Sequence, residues 1–234
     1  MRVHVFGDSH AAYCFDRIDE ATIYWVGPVT MHRAAKEAAQ FVPKLMADRT
    51  ETDALVFMFG EIDIRCHLVS VANRMNTTVE HEAKILAERY VETVAEIKRT
   101  LAFQKVVIAQ PPFPTDRKPS ADFPFSGSIE DRILAHKALS SHLKRISSSK
   151  GLLFLPFDPK YSNPDGTLQR KFSDDGVHIM PIEAKALAKS LERLLSAQLT
   201  FLAAPIDVAR RRWNYIFNGP LRSRGLPRVK RLWI

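Results

Sequence analysis

Residues 54–59, Ala-Leu-Val-Phe-Met-Phe, are apolar at every position. A strand with one wet face would carry a polar residue at every second position. An unbroken apolar run of this length is the pattern of a strand covered on both faces, which is how strands of a parallel sheet are buried. The chain must therefore supply helices to both sides of a sheet.

The flanking sequence meets that demand. Strands are expected at residues 2–7, 21–26, 53–59, 105–109 and 152–157. Helical patterns fall between them. Thr30 can cap a helix to about Ala47, with Ala34, Ala38, Phe41 and Leu45 on one face. Residues 79–101 and 131–147 also read as helices, and a last one spans 181–197, its proline in the first turn. Residues 61–78 and 113–128 are expected as loops. Five strands separated by helices predict a doubly wound, parallel α/β sheet. Right-handed crossovers then bring Ser9, Gly27, Gly60 and Pro111 to one rim.

At 234 residues, the chain is expected to form one domain, residues 1–197, with an extension, residues 198–234. The extension is basic: eight arginines and lysines stand against Asp207 alone, so it carries most of the net charge of +8. Arg210, Arg211 and Arg212 lead into Trp213, Tyr215 and Phe217, a mixture that suits a membrane surface or a protein contact. No nucleic-acid motif accompanies the charge. Cys14 and Cys66 form no disulfide framework. The N-terminus enters a strand without a signal-peptide pattern, and no run of about 18 apolar residues occurs. A cytoplasmic protein, peripheral at a membrane surface at most, is expected; the oligomeric state is left open.

Gly7-Asp8-Ser9-His10 closes the first strand, so a serine hydroxyl stands at a strand-to-helix turn. Such a hydroxyl is inert until a base takes its proton. Ser173-Asp-Asp-Gly-Val-His178 offers one. An acid three residues before a histidine can hold Nδ1–H and leave Nε2 for the serine. Asp175 is better placed than Asp174, because Gly176 permits the sharp turn.

These residues, with a glycine after the second strand and Gly60-x-x-Asp63 after the third, resemble the four sequence blocks of the SGNH, or GDSL-type, hydrolases over about residues 3–197. The resemblance implies a three-layer, flavodoxin-like α/β/α sandwich and hydrolysis or transfer of acyl groups on carbohydrates, lipids or similar small esters, without metal or organic cofactor. It makes Ser9 the nucleophile, His178 the base and Asp175 its orienter, with Ser9 and Gly27 N–H groups at the oxyanion. One block departs: Gly60-Glu61-Ile62-Asp63 has isoleucine where the family carries an asparagine donor. Loss of one such donor costs roughly a hundred- to a thousandfold in rate. Arg65, a cation suited to an oxyanion or an anionic substrate group, is the candidate replacement. His67, Asp8, His10, Glu61 and Asp63 are further pocket candidates, with Glu61 and Asp63 able instead to hold Arg65.

Two other readings follow from the same residues. Ile62 also fits a weakly catalytic glycan- or partner-binding protein on this scaffold. Asp8-x-His10, with Asp63 and His67, resembles the opening of calcineurin-like metallophosphoesterases. The Gly-Asn-His and Gly-His-x-His segments of that family are missing from the sequence.

Overall fold

A computed structural model describes residues 1–50, 52–119, 121, 124–173, 175–209, 213 and 229–231. Its sheet is wholly parallel, in the order β5-β4-β3-β1-β2-β6. The strands are β1 (Val3–Gly7), β2 (Ala21–Trp25), β3 (Ala54–Met58), β4 (Lys105–Ala109), β5 (Leu153–Leu155) and β6 (Val229–Arg231). The first five have the order expected of a flavodoxin-like sheet. The sixth is an addition: three residues of the basic extension pair in parallel with Ile23–Trp25 of β2.

β1 and β3 are buried along their whole length, and alternate residues face two separate cores. Phe6, Leu55 and Phe57 join the core under α2 (Met31–Leu45), α4 (Val79–Leu101) and α5 (Ile129–Ser149). Val3, Val5, Val56 and Met58 join the other, under α1 (Ser9–Phe15) and α6 (Lys185–Leu195). Hydroxyl caps start the long helices: Thr30 accepts from Arg33 N, Thr78 from His81 N and Ser128 from Asp131 N. Each is worth about 1 kcal/mol. α1 lies so close to the sheet that a Cβ on Gly7 would fall 2.3 Å from the Ala11 Cβ and 2.4 Å from the Met58 carbonyl oxygen.

One expected loop is helical. After β3, Asp63–His67 forms a π-turn that runs into α3 (Leu68–Met75), which ends at left-handed Asn76. The last expected helix is split into a 3-10 turn, Pro181–Glu183, and α6. Among the described residues, no helix is long and apolar enough to cross a membrane. Arg210, Arg211, Arg212, Tyr215 and Phe217 lie outside the described residues, as does Asp174; Trp213 is exposed.

Candidate active site

Three segments meet at the carboxyl ends of β1 and β3. Ser9 is the first residue of α1, and Asp8 caps that helix through Oδ1, which accepts from His10 N at 2.8 Å. The Ser9 hydroxyl donates to His178 Nε2 at 2.8 Å. His178 Nδ1–H donates to Asp175 Oδ2 at 2.6 Å. The other carboxylate oxygen, Asp175 Oδ1, accepts from the backbone N–H groups of Val177 and His178, both at 2.8 Å, and from Ser173 Oγ at 3.2 Å.

The turn is held from outside as well. Gly176 has φ +79°, a left-handed conformation that glycine adopts without cost. Its carbonyl accepts from the Thr115 hydroxyl, and Arg117 Nη1 donates to the Asp175 carbonyl at 3.3 Å. Burial alone would raise the Asp175 carboxyl, but the His178 bonds and backbone donors hold it well below the usual carboxylate range. Burial lowers His178 below its ordinary value, and nearby His10 lowers it further, against the pull of Asp175. A base of this kind is unprotonated at neutral pH and can accept from Ser9.

Gly27 follows β2 on the same rim, and a Cβ there would meet nothing within 4 Å, so the space beside it is open. The segment after β3 is arranged differently. Glu61 and Arg65, four apart, share one helical face: Arg65 Nε donates to Glu61 Oε1 at 2.8 Å. The Arg65 guanidinium lies 5.8 Å from the Phe125 ring centroid, and Nη1 is 3.5 Å from the Pro124 carbonyl oxygen. The group expected to face an oxyanion is thus engaged with Glu61 and the 124–125 segment. Asp63 does not hold Arg65. It caps α2, accepting from Met31 N at 2.6 Å and His32 N at 3.2 Å. Burial pushes Asp63 up to about 7 in spite of those donors.

His67 diverges from Arg65. It is exposed and lines a groove of about 440 Å³ with Thr30, His32, Leu68, Arg74 and Arg89. Arg65 and His67, both pocket candidates, stand two positions apart, a spacing that would bring them to one site in an extended chain. That is strand geometry; on a helix, residues two apart point in widely different directions. Ile62 is half-buried at the head of the π-turn.

His10, a pocket candidate in the sequence, has two neighbours in the structure. Its Nε2 is 3.0 Å from Glu61 Oε2, and its ring centroid is 4.4 Å from that of His178. Tyr13, one turn along α1, stacks on His178 from 4.6 Å and was not foreseen. Its position four residues after Ser9 was the available signal. The four groups of the metal reading are otherwise engaged: Asp8 and Asp63 cap helices, His10 faces Glu61, and His67 lines the groove that Asp63 also borders. Among the described residues, no three His, Cys, Asp or Glu side chains form a group able to hold a metal ion.

No protein-family model matches the chain, and neither does any curated protein sequence. Solved structures do. A GDSL-like lipase from Bacteroides thetaiotaomicron matches with a TM-score of 0.59 and 13% identity, over 83% of this chain and 87% of that one. A carbohydrate acetylesterase from Sinorhizobium meliloti matches at 0.53 and 16%, over 84% and 99%. An aryl esterase from M. smegmatis matches at 0.51 and 15%, over 84% and 99%. The chain has the α/β fold of the SGNH, or GDSL-type, hydrolases.

Proposed function

We propose that the protein is a serine-dependent ester hydrolase of the GDSL type. The observation that carries this reading is the continuous bond path from the Ser9 hydroxyl through His178 to Asp175, at 2.8 and 2.6 Å. It combines a nucleophile, a base whose second nitrogen is occupied, and an acid fixed by its own donors.

In the proposed reaction, Ser9 Oγ attacks the acyl carbon while its proton passes to His178 Nε2. The N–H groups of Ser9 and Gly27 face the oxyanion. Collapse of the tetrahedral intermediate breaks the ester bond, and His178 returns the proton to the departing alcohol. Water, deprotonated by His178, then attacks acyl-Ser9; the acid leaves and the serine is restored. An alcohol in place of that water gives acyl transfer. The likeness to a carbohydrate acetylesterase supports a short acyl group on a sugar as the substrate class to try first.

The test uses a short-chain aryl ester and a fluorophosphonate probe. We expect stoichiometric labelling at Ser9, and a loss of turnover on the order of ten-thousandfold or more in Ser9→Ala. Full activity in a folded Ser9→Ala protein would overturn the mechanism. A second reading has one observation in its favour: Ile62 stands where the family has a donor, and Arg65 is engaged with Glu61. A folded protein that binds a glycan, takes no label and turns over no ester would support a binding protein on this scaffold.

A further inference from the structure

The proposed mechanism uses one imidazole, yet two stand face to face. His10 is 2% exposed, and its ring lies 4.4 Å from His178 at an interplanar angle of 31°. Its far side is built rather than incidental. Glu61 Oε2 lies 3.0 Å from His10 Nε2, and Glu61 Oε1 accepts from Arg65 Nε. Arg65 in turn packs over Phe125, whose ring also carries the Arg132 guanidinium at 4.5 Å. The Nδ1 atom of His10 is buried and has no hydrogen-bond partner among the described residues.

We propose that His10 is a positioning residue for the base: the Arg65–Glu61–His10 chain holds a second imidazole against His178 and sets the acidity at which His178 stops accepting the Ser9 proton. The inference rests on the hydrolase reading for its catalytic meaning. Its physical content, coupling between two imidazoles, does not.

The charges around the pair decide the sign. His178 faces Asp175 on its own loop, Ser9, His10 and Tyr13 on α1, and the field of Glu61 beyond. Arg117 and Arg170 border the loop backbone, at the Asp175 carbonyl and beside Gly176. His10 faces Glu61, Asp8 and, at longer range, Arg65. Burial works against a charged His10, but Glu61 and Asp8 outweigh it and raise the group above its ordinary value. Glu61 is held down to about 2 between His10 and Arg65, against its own burial. In acid, His10 is therefore the positive member of the pair. A neighbouring cation disfavours a second proton on His178. The base then stays free to a lower pH than an isolated Asp–His pair would allow.

The experiment compares wild type with His10→Gln, which keeps a donor for Glu61 while removing the ring and its charge. The acid limb of kcat/KM is expected to move up by about one pH unit, a tenfold rise in the proton affinity of His178. The rate at the alkaline plateau should stay within a few-fold of wild type. The same shift should appear in the NMR titration of His178 in Ser9→Ala against Ser9→Ala/His10→Gln, which needs no substrate. A protein with no esterase activity but with a raised His178 midpoint would retain the coupling and lose the hydrolase reading. An unmoved limb and midpoint would overturn the proposal and leave His10 a packing residue. If His10→Gln does not fold, the Ser9→Ala protein alone decides. Coupled imidazoles titrate in shared steps, whereas two independent single-site curves would overturn the proposal.

Discussion

The loop at 173–178 and the segment at 60–67 carry similar side chains to opposite ends. Each brings at least one acid and a cationic or imidazole group to the same side of the sheet. In the loop, one carboxylate and one imidazole sit three apart across a left-handed glycine. Asp175 spends its oxygens on His178 and on the turn, so the imidazole's Nε2 is left for Ser9. In the segment, a helical turn places Glu61 and Arg65 four apart, and Glu61 divides its oxygens between Arg65 and His10. Asp63 turns to the amides of α2. The same chemistry gives a reactive edge where a turn aims one group outward, and a structural clasp where a helix aligns both partners.

If this contrast is right, changes in the loop should cost rate, and changes in the segment should cost stability. The largest expected effect is in the loop. Asp175→Asn should lower kcat by about ten-thousandfold, because the amide favours the wrong imidazole tautomer. The thermal unfolding temperature should fall only modestly, because the folded turn favours the charged carboxylate but an amide oxygen can still accept from its backbone donors. A large loss of melting temperature with preserved rate would reverse the assignment.

Glu61→Gln comes next, and it should act on the fold. Removing that charge leaves Arg65 and His10 buried with a weaker partner, at a cost on the order of 3 kcal/mol. In wild type the group is held at about 2, below its ordinary 4.5. Its contribution is therefore complete above pH 4.5 and is lost as pH falls towards 2. Denaturant titrations at pH 7 and pH 3 should show the wild-type advantage shrinking; a constant gap would show that the charge is irrelevant. The smallest effect tests the missing donor. Ile62→Asn should raise kcat about tenfold if an amide at this position reaches the oxyanion. No change in kcat would mean that the segment is closed to that role.

Much of this was legible in the chain. The apolar run at 54–59 required two covered faces, and the two cores supply them. Ser9, Asp175 and His178 were found by residue type, turn chemistry and order, and they meet at bonding distance. The helical segment at 61–75 was missed because Glu61, Asp63, Arg65 and His67 alternate like a solvated loop. The burial of Asp63 and Arg65 comes with partners distant in sequence, Met31, His32 and Phe125. The pairing of His10 with His178 left no local trace, since 168 positions separate them. β6 was hidden for another reason: three residues within a basic stretch give no alternation to read.

The Ser9–His178 bond joins the end of β1 to a loop after β5, 169 positions further along the chain. While the chain is being synthesised, the serine emerges well before the imidazole. A nascent chain, or any fragment cut before residue 178, holds the hydroxyl without an acceptor for its proton. Reactivity would thus be withheld until β5 and the loop after it had left the ribosome. A fluorophosphonate-reactive product would then also report that synthesis had passed residue 178.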